Sequence, residues 1–163
     1  MPDLLIPAIP CFVLLMVVEY LSYRHATEAA LHGMKGYDAK DTASSLAVGF
    51  GSIVVDGIWR VVPLFVYSWL YQVTPLRMPS DAWWTYVLLF LADDFAYYWY
   101  HRICHTVRLF WASHIIHHSS QHYNYSTAVR QSWFPMTTLP FWAPLAIAGF
   151  APWMIFTIQS VSL

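Results

Sequence analysis

The chain has 163 residues, 58% of them hydrophobic, 18% aromatic and only 10% charged. Soluble domains carry about a quarter charged residues, so this composition leaves too little polar surface for a soluble fold of this size. The formal net charge of −1 gives no basic footprint for nucleic acid. Cys11 sits in an apolar run and Cys104 among histidines, so no disulfide framework is expected.

Residues 4–23 (LLIPAIPCFVLLMVVEYLSY) are long enough for one membrane span, because a bilayer core takes about 20 apolar residues. Pro7 and Pro10 fall near the start, where a helix tolerates proline. The run lacks a basic n-region and an A-x-A-like cleavage site, and reads as a retained anchor rather than a signal peptide. Glu19, towards its far end, reads as an interfacial carboxylate or as a polar group facing a bundle interior. Residues 24–45 are polar; His25 and His32 here read as surface histidines. Residues 46–72 form a second apolar stretch, interrupted by Asp56 and Arg60. These are four apart and are expected to pair on one helix face.

A loop with Pro75, Arg77 and Pro79 leads to a third span from Ala82 to Tyr100. Trp83 and Trp84 at one end, and Tyr97, Tyr98, Trp99 and Tyr100 at the other, form aromatic belts. Residues 133–158 are apolar again, with Pro135, Pro140, Pro144 and Pro152. They fit one irregular span or a hairpin turning near Gly149–Pro152. Three Lys/Arg lie in 24–45 (Arg24, Lys35, Lys40) and three in 102–132 (Arg102, Arg108, Arg130). With three spans these segments share a side, which the positive-inside rule makes cytosolic.

His101, His105, His114, His117 and His118 fall within eighteen residues, with His122 close behind; the chain has eight histidines in all. Imidazole is the commonest metal ligand among side chains. At about 100° per residue, His101 and His105 share a helix face. Asp94 lies on nearly the same stripe with Tyr98 between, placed to accept the second N–H of a ligating imidazole or to ligate directly. His114, His117 and His118 repeat the pattern as i, i+3, i+4. Two short facing helices would bring the five imidazoles together. A zinc-protease helix reads H-E-x-x-H, and here Arg102 takes the place of the glutamate base. A bis-histidine haem uses two imidazoles, usually from separate spans, and structural zinc favours cysteine. Iron accepts imidazole readily, and a two-metal centre would absorb this many ligands.

The stretch from Asp94 to His105 (DFAYYWYHRICH), followed by Leu109 to Ser120 (LFWASHIIHHSS), resembles the fatty acid hydroxylase/sterol desaturase superfamily. These are membrane di-iron oxygenases with boxes H-x(3)-H, H-x-x-H-H and a later H-x-x-H-H. The continuation Tyr123 to Ser132 (YNYSTAVRQS) is similar to the alkylglycerol monooxygenase-like and bacterial sterol-desaturase-like branch. The resemblance is dense over residues 93–132.

It implies a single membrane-embedded domain over 1–163. The fold would be an all-α integral membrane protein of three to five transmembrane helices with a cytosolic, histidine-rich helical cap. His101 and His105 match the first box and His114, His117 and His118 the second, all five as iron ligands. Asn124 and Arg130 match motif positions and would support the site, His122 would support it or lie at the surface, Asp94 and Tyr98 remain the supports that the helix stripe offers, and Cys104 would serve packing. A complete member would hold two irons. The third box is not met before Leu163, so the chain is expected to be the N-terminal portion, a truncated gene or a fragment.

The implied reaction is O2-dependent hydroxylation or desaturation of a lipid or sterol C–H bond. The partners are the lipid or sterol, O2, and an external electron donor of cytochrome b5-like, ferredoxin-like or pterin type, because no flavin, haem or nicotinamide motif is present. The location is the bacterial inner membrane or the endoplasmic reticulum. Two other readings stand beside it: an inactive remnant of such an enzyme, and a non-enzymatic membrane module binding metal or haem. Sequence leaves the substrate, and hydroxylation versus desaturation, open.

Overall fold

The computed structural model describes residues 5–26 and 36–162. His32 and Lys35 lie outside the described residues. Within them the chain is helical, with no strand. The helices are α1 (Leu5–His25), α2 (Ala39–Trp59), α3 (Val61–Val73), α4 (Trp83–Thr106), α5 (Arg108–His114), the single turn α6 (Tyr125–Ala128), α7 (Leu139–Ile147) and α8 (Pro152–Ser162). A 3₁₀ turn, Pro135–Thr137, precedes α7.

Among the described residues one helix, α2, is long and apolar enough to cross a membrane by length and composition, and α3 is a shorter apolar helix. The stretch expected as one span over 46–72 is therefore divided at Arg60. Pro63 is the cause. It offers no N–H to the carbonyl of Trp59, and its ring crowds that carbonyl. Arg60 stands at the break itself, and the ion pair found among the described residues joins Arg130 to Asp41 rather than Arg60 to Asp56.

The chain divides into two compact units, residues 1–55 with 114–133, and residues 56–113 with 134–163. The second unit has the larger apolar core. Tyr67 of α3, Leu89 and Ala96 of α4, Trp142, Leu145 and Ala146 of α7, Phe150, and Met154 and Ile155 of α8 are buried together. The 139–162 region is a hairpin, the second of the two expected forms. Its turn is made by Gly149 at φ 95°, a conformation that costs residues with a Cβ. The turn is tied down by Met78 N–H donating to Gly149 O at 2.9 Å and by Thr74 Oγ1 donating to Ile147 O at 2.8 Å. Pro152 then opens α8, where a missing N–H costs nothing. Asp93 is buried in this core, accepting from Trp142 Nε1–H at 2.7 Å and from Ser162 Oγ–H at 2.6 Å. Each oxygen has a donor, which is what makes a buried carboxylate tolerable.

In the first unit, Asp38 caps α2. Its Oδ1 accepts the N–H groups of Asp41 (2.9 Å) and Lys40 (3.0 Å), and these bonds, with that of Asp41 the stronger influence, hold its carboxyl below the usual range. Ser45, Gly49 and Ser52 form the buried face of α2. Such small residues let backbone approach closely: the Val129 carbonyl lies 2.8 Å from where a Cβ on Gly49 would stand. The indole N–H of Trp133 donates to Val48 O at 2.9 Å. Glu19 of α1 is half-buried within this unit, accepting from the Tyr37 hydroxyl at 2.6 Å and from Tyr125 N–H at 2.7 Å. Burial first, and then the Glu19 carboxylate, push the Tyr37 hydroxyl well above its usual pKa.

Gly149→Ala is expected to lower the unfolding midpoint in detergent micelles. Backbone strain alone costs about 1–3 kcal/mol, and the new Cβ would stand 2.7 Å from the Leu76 carbonyl carbon. Gly57→Ala, whose Cβ meets nothing within 4 Å, is expected to leave the midpoint unchanged or raise it.

Candidate metal centre

The first histidine pair rides on the end of α4, which continues unbroken through Tyr97, Tyr98, Trp99 and Tyr100 to Thr106. This helix buries Thr85, Leu89, Asp93, Ala96 and Cys104. His101 and His105, one turn apart, stack with ring centroids 4.8 Å apart. Their Nε2 atoms stand 2.9 Å from each other. Tyr97, one turn earlier, places its hydroxyl 3.3 Å from His101 Nδ1, and Trp111 packs its ring 5.5 Å from that of His105. Arg102 is drawn aside: it donates to the Tyr98 hydroxyl at 2.8 Å and lies over the Tyr98 and Trp99 rings. The pair therefore sits at the carbonyl end of a 24-residue helix, the end that favours positive charge.

The second group belongs to the other unit. His114 closes α5, and the chain then tightens: His117 N–H donates to His114 O and His118 N–H to Ile115 O, each at 3.0 Å. These are i→i−3 turns, so His117 and His118 stand on turns, and the first box ends a long helix. The expected pair of short helices is corrected on both counts. His114 and His118 still bring their Nε2 atoms to 3.2 Å. The His117 ring lies 5.6 Å from that of His114 and 5.3 Å from that of His118. His117 Nδ1 is 3.3 Å from the Arg130 carbonyl. A carbonyl only accepts, so Nδ1 carries a proton, and in the neutral ring this leaves the lone pair on Nε2.

Both Nε2 separations suit a shared cation. With metal–imidazole bonds of about 2.1 Å, two cis ligands of an octahedral ion lie about 3.0 Å apart. A ring whose second N–H is held by a backbone carbonyl is the usual state of a ligating histidine, and His117 has that state.

The supporting residues fall in several places. Asp94 is exposed and lines a cavity of about 280 Å3 with Phe90, Asp93, Tyr97, Val161 and Ser162. Tyr97, rather than Tyr98, touches His101. His122 donates Nδ1–H to Gly36 O at 2.8 Å. Asn124 caps α6, its Oδ1 accepting Ser126 N–H at 3.0 Å and Ser126 Oγ–H at 2.6 Å. Cys104 is fully buried, and both cysteines are free thiols. His25 is exposed at the end of α1.

Arg130 is buried with every side-chain nitrogen engaged. Nε donates to Ser45 Oγ (2.9 Å), Nη1 to Ser119 Oγ (2.8 Å), and Nη2 to both Asp41 O (3.1 Å) and Asp41 Oδ1 (2.7 Å). Two residues escape sequence reasoning. Asp93 carried a legible signal, because it shares a stripe with Thr85, Leu89 and Ala96. Asp41 carried none, standing 89 residues from its partner.

Residues 86–163 match the fatty acid hydroxylase family, and over that stretch the chain belongs to it. It is similar to alkylglycerol monooxygenases. The human one is 34% identical over 160 residues, 97% of this chain and 34% of the relative. That of Danio rerio is 39% identical over 109 residues, 66% of this chain and 24% of the relative. That of Xenopus tropicalis is 43% identical over 93 residues, 56% and 21%. The chain thus spans about a third or less of the length of these relatives. No solved structure matches it.

Asp41→Ala strands a buried guanidinium and is expected to destabilise the fold by about 3–5 kcal/mol in chemical denaturation. Replacing both partners, Asp41→Ala with Arg130→Met, is expected to recover most of that loss, because no unpaired charge then remains.

Proposed function

We propose that this chain carries the iron-binding histidines of a membrane-bound, O2-dependent lipid monooxygenase whose substrate is an ether-linked alkylglycerol. The observation that carries the reading is the Nε2 approach in each pair, 2.9 Å in His101–His105 and 3.2 Å in His114–His118. Family membership and the names of the relatives support the reaction class and the substrate.

His101, His105, His114, His117 and His118 are the iron ligands, and two irons are used. An all-imidazole donor set without thiolate suits iron better than structural zinc. Bound iron supplies the redox chemistry that lets O2 act on an unactivated C–H bond. The balance for hydroxylation is one O2, two electrons and two protons consumed, with one oxygen atom entering the lipid and the other leaving as water. The electrons come from a separate donor, of cytochrome b5-like, ferredoxin-like or pterin type.

The chain's own side chains orient the ligands and control their surroundings. Tyr97 steadies the His101 ring through Nδ1, and Trp111 shields His105. The Arg130 carbonyl selects the His117 tautomer. The Tyr98 and Trp99 rings hold the Arg102 cation aside, so it does not compete for the position a metal takes. Phe65, Trp69, Trp83 and Phe95 leave large apolar surfaces exposed, and these meet lipid in the bilayer. The histidines face the cytosol, following the Lys/Arg distribution.

The test is iron analysis of the chain purified in detergent, with 18O2 labelling of an added alkylglycerol in the presence of a supplied electron donor. Iron is expected to co-purify, and His117→Ala is expected to lower its affinity at least about tenfold, the scale of losing a metal-site contact. Label is expected in the lipid product. A haem spectrum, or a chain that takes up no iron, contradicts the reading.

A further inference from the structure

Asp41 belongs to α2, far in sequence from the histidines, yet its carboxylate is divided between two contacts with their flank. Oδ1 takes Arg130 Nη2 at 2.7 Å, and Oδ2 takes the Ser120 hydroxyl at 2.8 Å. Arg130 in turn holds Ser119 through Nη1, and its own carbonyl receives His117 Nδ1–H. Ser119 and Ser120 follow His117 and His118 directly, where the chain has left its helix and runs in turns. A turn without helical bonding needs other groups to hold it in one conformation. Here the same ion pair restrains the two serines just after His118 and the carbonyl that orients His117.

We propose that Asp41 is a positioning residue for the second histidine box, acting through Arg130 and Ser120 to fix the His117 ring and the path of the chain after His118. The proposal rests on the reading of these histidines as iron ligands. A buried ion pair is a weak source of net stability compared with apolar packing of the same size. What it supplies is direction: the guanidinium fork and the two carboxylate oxygens admit few arrangements. The other donors of the cluster point the same way, since Arg130 Nε is fixed by Ser45 of the same helix, one turn on from Asp41.

The test is cobalt(II) titration of the intact chain in micelles, read by its d–d absorption, beside a thermal unfolding curve. In Asp41→Asn, cobalt affinity is expected to fall about tenfold or more, the range seen when partners of a ligating residue are lost, in protein that is still folded. Asp38→Asn keeps an acceptor at the cap of the same helix and is expected to bind cobalt as the wild type does. Folded Asp41→Asn with wild-type affinity overturns the proposal, as does an equal loss in Asp38→Asn. Should Asp41→Asn not fold, Ser120→Ala decides, since it removes the Oδ2 contact and leaves the ion pair. A loss of several-fold supports the proposal and an unchanged affinity overturns it. Cobalt binding that is lost in His117→Ala but kept in the Asp41 and Ser120 variants leaves the ligand reading standing and removes only the role of Asp41. A wild type that takes up no cobalt overturns both.

Discussion

A guanidinium taken out of water must have every donor answered, or it becomes the costliest group in the fold. Arg130 is in that position, and its partners define the first unit. Ser45 and Asp41 answer it from α2, Ser119 from the histidine segment, and the Asp41 carboxylate neutralises it at 2.7 Å. Small residues on α2 make the approach possible. Ser45 and Gly49 on that face, with Gly51 beside it, let Val129, Arg130 and Trp133 lie close. The second histidine group stands on the turns that this cluster holds, and the carbonyl of Arg130 sets the His117 proton. Removing the guanidinium would therefore loosen a helix contact, a turn and an imidazole together.

The first pair is held by a different device. A long helix with one buried stripe carries His101 and His105 on its last turns, and α-helical geometry alone keeps their rings in register. The core of the second unit anchors that helix through Leu89, Asp93 and Ala96. The two groups are thus supported independently, one by helix register and one by polar contacts. This division matches their exposure to mutation. A conservative change in the α4 core has many neighbours to absorb it, whereas the turn after His118 relies on a few directed bonds.

Much of this was legible in the sequence where the signal is local. The i, i+4 spacing of the imidazoles, the helical runs, the glycine turn at 149 and the packing role of Cys104 all depend on near neighbours. The division of the second apolar stretch was also written locally, in Pro63, but length and hydropathy outweighed it. The choice between Asp93 and Asp94 depended on which face of α4 meets the core, and the stripe through Thr85, Leu89 and Ala96 decides for Asp93. Likewise Tyr97 reaches His101 because it lies one full turn before it, while Tyr98 is turned towards Arg102. The partners of Asp41, and the Tyr125 N–H that Glu19 accepts, were not legible, because they stand 79 to 106 residues away and only tertiary structure brings them there. The turns carrying His117 and His118 mimic helical spacing over four residues, so pattern alone does not separate the two.

In the proposed function, imidazole pairs rather than single histidines hold the iron. X-ray absorption at the iron edge of the loaded chain measures this directly. Nearest-neighbour scattering is expected to be dominated by nitrogen at about 2.1 Å, with the outer-shell pattern of several imidazoles, and that pattern is expected to be lost in His105→Ala and in His118→Ala. A coordination shell of oxygen atoms without imidazole scattering, or one unchanged in both variants, would contradict it.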